Sequence, residues 1–248
     1  MKDMKIDFGY QQVDLSKKEY MVKNVFDSVV YKYDLMNDIM SFFIHRIWKD
    51  IAVFYCNVKR GDKILDLAGG TGDLSKRFIN LVGDNGEVIL GDINFNMLKF
   101  GRDKLIKQGL EYGIKYVQLN AEYLPFFNDY FNIVSIGFGL RNVTNKLKAL
   151  KSIYRVLKSG GMLMILEFSH PINDFISSIY DLYSFNVLPK FGKMICGNEF
   201  SYKYLVESIR VHPDQKELLK IIKLAEFKEC YYVNLCNGIV SIHIGIKY

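Results

Sequence analysis

Apolar and polar positions change their period along this chain, and the change divides it. Between residues 16 and 55, Val22, Val25, Phe26, Val29, Val30 and Tyr33 recur at spacings of three and four, which predicts helix. From Lys63 onward, short apolar runs alternate with amphipathic stretches. The runs predict strands over 62–67, 87–92, 115–120, 131–137 and 161–168, and the stretches between them predict helices over 72–82, 95–108 and 145–157. That alternation implies a parallel sheet with helices on both faces. Residues 172–210 interrupt it with the aromatic run Tyr180-Asp-Leu-Tyr-Ser-Phe-Asn-Val-Leu-Pro189. His212-Pro-Asp-Gln215 reads as a helix start with Pro213 at the first position, and the helix runs to Ala225. Strands over 227–235 and 239–247 then close the chain around Asn237-Gly238, a two-residue hairpin signal.

This order predicts a single α/β unit over 1–248: a helical cap (1–58), a ligand-binding core (59–170), an aromatic insertion or lid (171–210), and a final helix and hairpin (211–248). A Rossmann-like parallel sheet finished by an antiparallel hairpin is the layout of class I S-adenosylmethionine-dependent methyltransferases. A plain dinucleotide fold more often continues βαβ to its end.

The first strand candidate runs into Asp66-Leu-Ala-Gly-Gly-Thr-Gly-Asp73, just before a helix. Gly69, Gly70 and Gly72, around Thr71, let the backbone approach a ligand at the helix N-terminus because no Cβ stands in the way. The loop alone fits NAD or S-adenosylmethionine, and Asp92 after the second strand would bind ribose hydroxyls in either. Three features favour the methyl donor. Asp66 stands at the strand end before the glycines, Asp73 would repel a pyrophosphate, and Asn120-Ala121 sits where an adenine edge would lie. Met97 is a candidate for packing on adenine, or plain core.

Composition narrows the setting. The chain has 248 residues, half of them apolar and 24% charged, which is globular. No run reaches about 18 uninterrupted apolar residues, so no membrane span is expected, and the N-terminus lacks signal or transit character. A net charge of +6 weakly favours an anionic membrane surface or a nucleic acid, but no basic block is long enough to require either, and no nucleic-acid partner is expected. The four cysteines, Cys56, Cys196, Cys230 and Cys236, form no ligand or redox spacing. Buried reduced thiols and no metal are expected.

Asp66–Asp73 resembles the motif of the quinol C-methyltransferases of ubiquinone and menaquinone biosynthesis, and the resemblance spans nearly the whole chain. It continues in Val25–Asn37, His45-Arg-Ile-Trp-Lys49, Asn120–Phe126, Phe138-Gly-Leu-Arg-Asn-Val-Thr144, Arg155–Gly161, Leu166–Ser169, Tyr183–Pro189 and Ser201–Gln215. Phe8-Gly9-Tyr10 matches the bacterial form. Four positions depart from it. Gly137 replaces a cofactor-contacting Ser and offers only its backbone amide, Ser159 replaces a Pro, and Asn128 and Asn132 replace acids or prolines.

The resemblance implies methyl transfer from S-adenosylmethionine to a ring carbon of a polyprenylated quinol. The donor, carbon and sulfur must be held in line, and the ring hydroxyl, with a pKa of roughly 10, must lose its proton. A cation beside the resulting phenolate and a proton acceptor are therefore expected. Arg141 is the cation candidate, unless it pairs structurally with Asp66 or Glu167, and Asn142 would orient the same oxygen. Asp27, Tyr33 and His45 are candidate bases or contacts for the cofactor carboxylate, and Lys49 would meet the methionyl carboxylate or stand on a solvated helix face. Tyr180, Tyr183, Phe185, Leu188 and Phe191 would line a mouth for the prenyl tail.

A lipid substrate implies peripheral contact with the inner face of a bacterial membrane from the cytoplasm, or a mitochondrial matrix location for a processed eukaryotic chain. A homo-oligomer, or association with other quinone-biosynthesis enzymes, fits the same setting. The alternatives are a methyltransferase for another small molecule and an NAD-binding oxidoreductase.

Overall fold

The structure is a computed structural model, and it describes residues 5–110, 112–184 and 199–248. It opens with a hairpin that the pattern did not predict. Strands β1 (Lys5–Phe8) and β2 (Gln11–Asp14) pair antiparallel around Gly9, a turn too short to leave a periodic signal. The expected single helical region is three helices: α1 (Leu15–Val29), α2 (Tyr33–Met40) and α3 (Ile44–Tyr55). A 3₁₀ turn at Val30–Lys32 separates the first two. Phe42 and Phe43, both at positive φ, break the chain before the third.

The core alternates as expected: β3 (Lys63–Leu67), α4 (Asp73–Val82), β4 (Glu87–Asp92), α5 (Phe95–Lys107), β5 (Ile114–Gln118), β6 (Phe131–Gly137), α6 (Lys146–Val156) and β7 (Leu157–Phe168). Helices α7 (Asp174–Leu182), α8 (Glu199–Val211) and α9 (Gln215–Leu224) follow, then β8 (Lys228–Leu235) and β9 (Val240–Ile246). The sheet order is β5-β4-β3-β6-β7-β9-β8, parallel through β7 and antiparallel at β9 and β8. This is the α/β layout read from the sequence.

Strand alternation sorts the core onto two faces. Ile64, Val88, Leu90, Ile133 and Met164 pack under α3, α4 and α5, against Trp48, Phe78 and Leu105. Leu65, Leu67, Ile89, Val134 and Ile165 meet α6 and α9, against Leu150, Ile153, Leu218 and Ile222.

Two boundary expectations are corrected. Asp214, not a residue before Pro213, caps α9, its carboxylate accepting from the Glu217 N–H at 2.8 Å. In the final hairpin Leu235 pairs with Val240, so four residues span the turn and not two. Cys236, Asn237 and Gly238 all take positive φ there. Gly238 is tucked so close to the His170 carbonyl that an added Cβ would lie 2.9 Å from its oxygen. The thiols also differ from expectation. Cys56 is buried and burial pushes its pKa up, but Cys230 is half-buried and Cys236 is exposed, accepting the Trp48 indole N–H at 3.3 Å. Cys196 and the tail candidates Phe185, Leu188 and Phe191 lie outside the described residues.

Candidate active site

At the carboxyl ends of β3, β4, β5 and β6 lies a cavity of about 110 Å3, covered by α1. Ligands bind at this edge in open α/β sheets. The glycine loop forms its floor. Gly70 and Gly72 sit at φ +54° and +80°, in the left-handed region that side chains rarely tolerate. Helix α5 presses on that loop through Gly101, where an added Cβ would come within 2.9 Å of the Gly70 carbonyl oxygen.

Asp92 stands at the centre. Its carboxylate accepts the Gly70 N–H at 2.9 Å and the Asn94 N–H at 2.8 Å, so it both shapes the loop and faces the cavity. Burial raises its pKa against those bonds. Met97, Asn120, Ala121, Asn142 and Tyr33 line the same cavity, with Leu119 as an apolar wall. The Asn120 carboxamide is oriented from both sides. Its amide donates to Glu19 of α1 at 2.6 Å, and its oxygen accepts from the Glu122 N–H at 2.9 Å. Burial also raises the Tyr33 pKa, with Arg141 opposing.

The other site candidates lie off the cavity wall. Asp66 is fully buried and shapes the strand end. One carboxylate oxygen accepts from the Ser75 N–H and hydroxyl at 2.9 and 2.7 Å, and the other accepts from Ser135 at 3.1 Å. Burial outweighs these bonds and brings its pKa to about 6. Thr71 donates to Asp34 of α2 at 2.8 Å, tying the cap to the loop. Gly72 fits against Leu90 and Leu105, and Gly137 against Leu74.

Lys49 does not reach the cavity. It pairs with Asp73 at 2.7 Å, and Arg77 joins the same carboxylate at 3.2 Å. Burial pushes the Asp73 carboxyl up, but Lys49 and then Arg77 hold it well below the usual carboxylate range. An ionised acid therefore stands at the first residue of α4, where a pyrophosphate would have to dock.

Two base candidates are engaged elsewhere. His45 meets Asp38 at 2.8 Å, and burial, followed by Lys49, lowers its pKa. Asp27 accepts from Lys23, Asn94 and Asn96. Arg141 forms the structural pair that the sequence left open. Its guanidinium donates to Glu167 at 2.7 Å and to the Phe138 carbonyl at 2.6 Å, and Glu167 is fully buried. Burial opposes the charge, but Glu167 outweighs it and holds Arg141 protonated. Asn142, the next residue, faces the cavity and accepts the Tyr204 hydroxyl of α8 at 2.9 Å.

Sequence reasoning missed Glu19, Lys23 and Phe26 on α1, although they share the helical spacing of Val22 and Tyr33, because an apolar stripe reads as core. It also missed Asn94, which caps α5 through the Met97 N–H at 3.1 Å.

A crevice at this edge of a seven-stranded mixed sheet, with its acid at the end of β4, defines a class I S-adenosylmethionine-dependent methyltransferase. Solved methyltransferases share the fold. One from Thermotoga maritima superposes with a TM-score of 0.65 at 17% identity, over 91% of this chain and 99% of that one. One from Aquifex aeolicus gives 0.60 at 16% identity, over 81% and 89%. More narrowly, the profile of the ubiE/COQ5 methyltransferase family matches residues 14–247, and the chain belongs to that family. It is 54% identical to the ubiquinone/menaquinone biosynthesis C-methyltransferase UbiE of Proteus mirabilis, over 98% of this chain and 96% of that protein. The protein of the same name from Coxiella burnetii is also 54% identical, over 97% and 96%.

Proposed function

We propose that this enzyme transfers the methyl group of S-adenosylmethionine to a ring carbon of a polyprenylated quinol in menaquinone and/or ubiquinone biosynthesis. The observation that carries this reading is the pairing of Asp92 and Asn120 across one cavity with an ionised Asp73 at the adjoining helix start. That set suits an adenosyl sulfonium, which has a ribose and an adenine but no phosphate.

When bound, the donor supplies an electrophilic methyl group. Asp92 would hold the ribose hydroxyls, Asn120 and Ala121 would meet the adenine edge, and Met97 and Leu119 would supply its apolar packing. Gly70 holds the floor close, while Thr71, Gly72, Asp66 and Lys49 keep the loop and α4 in place. Gly137 contributes backbone alone. Arg141, fixed by Glu167, supplies a positive field behind Asn142 and beside Tyr33. Such preorganised charge favours the ring phenolate without rearrangement during reaction.

The apolar hollow lined by Met40, Trp48, Phe168, Tyr180, Leu205 and Ile209 suits the first part of the prenyl tail. Nearby, Phe42 and Phe43 are exposed at the α2–α3 junction, and Phe42 packs on Tyr183 beyond α7. Among the described residues no helix is long and apolar enough to cross a membrane. These exposed rings and the net charge of +6 support peripheral contact with an anionic bilayer.

Calorimetric titration tests the cofactor. S-adenosylhomocysteine should bind saturably and NADH should not; the reverse result refutes the reading. Flotation with anionic vesicles tests the membrane contact, and absence of the protein from the lipid fraction counts against it.

A further inference from the structure

A second pocket, of about 250 Å3, lies beneath the β1–β2 hairpin and adjoins the cofactor cavity. Thr144 lines both, and the Tyr204–Asn142 hydrogen bond joins their walls. The second pocket's wall carries three basic side chains, Lys18 of α1, Lys146 and Arg141, the last paired with Glu167, against the single acid Asp7; His212 at the end of α8 also lines it, and burial holds its ring neutral.

Lys18 is 4% exposed, yet it makes no hydrogen bond or ion pair with any described residue. Burial, then Lys146, lowers its pKa to about 8, with Asp7 and Glu122 opposing. The Nε of Arg141 and both ring nitrogens of His212 are buried without a partner among the described residues. Buried donors and like charges left in this state are costly. A ligand that brings oxygen and negative charge would satisfy them together.

We propose that this pocket receives a ring hydroxyl of the methyl acceptor as its oxyanion, with Lys18 as the proton acceptor and Arg141 and Lys146 holding the anion. The proposal rests on the quinol reading above. The O–H bond breaks, its proton moves to the lone pair of neutral Lys18 Nζ, and the electron pair stays on oxygen and delocalises onto the ortho carbon. No oxidant or reductant is involved. A lysine in a buried cationic pocket suits this task because its neutral form is populated near neutral pH. The groups facing it are Asp7 from β1, Glu122 after β5, Arg141, Lys146 from α6, and Tyr204 and His212 from α8 and its end.

The test uses 4-nitrophenol, whose colour reports its ionisation, titrated onto the protein saturated with S-adenosylhomocysteine. Bound probe should ionise at least about one pH unit below free probe. Lys18→Met and Lys146→Met should each abolish most of that shift and weaken probe binding roughly tenfold. S-adenosylhomocysteine affinity should change less than about threefold in either variant, which reports an intact fold. Lys18→Arg keeps the charge but is a poor base, so it should retain probe binding while kcat falls at least about a hundredfold. A probe that ionises as it does in water, or a shift unchanged in Lys18→Met, overturns the pocket. An unchanged kcat in Lys18→Arg overturns the base. Failure of the unmodified enzyme to methylate any quinol would instead count against the function.

Discussion

Replacing Glu167 by Gln probes the pair that the fold builds behind the cavity. Glu167 is fully buried and accepts from the Arg141 guanidinium at 2.7 Å, the Arg141 N–H at 3.1 Å and the Phe168 N–H at 3.0 Å. The Arg141 side chain is 4% exposed, so the amide variant leaves a buried guanidinium without its counter-ion. Breaking a buried pair in this way costs about 3–5 kcal/mol. For a chain of this size each kcal/mol moves the thermal midpoint by roughly 2–4 °C, so a fall of roughly 6–20 °C is expected. Urea unfolding and thermal melting of the parent, Glu167→Gln, and the double variant Glu167→Gln/Arg141→Met measure it. The double variant should recover at least about half of the loss, because removing both charges removes the unpaired one. A loss below about 1 kcal/mol in Glu167→Gln, or a double variant no more stable than the single, refutes the reasoning.

Three further outcomes follow from the same geometry. Asp66 has a folded pKa near 6, raised by burial, against 3.8 when unperturbed, so the folded state favours its protonated form. Its stabilising contribution is complete below pH 3.8 and is lost as pH rises through 6, a change of roughly 3 kcal/mol. Asp66→Asn should flatten the stability profile across that window; a profile as steep as the parent's contradicts this. Gly101→Ala places a methyl against the backbone of Gly70 and Thr71. S-adenosylhomocysteine affinity should fall at least about tenfold by calorimetry, and parental affinity would show that α5 does not set the loop. Asp92→Asn puts an amide donor where the carboxylate accepts from Gly70 and Asn94. A loss of roughly 10- to 100-fold in the same titration is expected, and a change under about threefold would remove Asp92 from the site.

The parts of this account that were legible in the sequence are those with a local signal. Strand β6 was bounded at 131–137 because Phe131-Asn-Ile-Val-Ser-Ile-Gly137 is a β-rich run between polar loops, and the structure gives the same limits. The spacing of the glycine loop and Asp92 pointed to the cavity edge where the structure brings them together. Pairings set by strand register were legible only as alternatives. The sequence offers Asp66 or Glu167 to Arg141, and Glu167 takes it because β6 and β7 run parallel with Gly137 beside Leu166, a coincidence of registers that no single segment encodes. Lys49 finds Asp73 only because α3 lies along α4. The break at Phe42 and Phe43 carries no proline or glycine, so two apolar residues in left-handed backbone read as a continuing helix. Lys18 was passed over for a related reason: a lysine between the apolar positions of an amphipathic helix reads as its solvated side, whereas the β1–β2 hairpin covers it.

The reaction delivers a methyl group from an adenosyl sulfonium to a quinol carbon. The direct measurement is transfer of labelled methyl from S-adenosylmethionine to reduced short-tail demethylmenaquinol and methoxy-benzoquinol analogues, followed by chromatography of the products. Label bound to a ring carbon of at least one analogue, and absent when the quinone is left oxidised, is the predicted result. Label on neither reduced analogue, or label found on a ring oxygen, would contradict it.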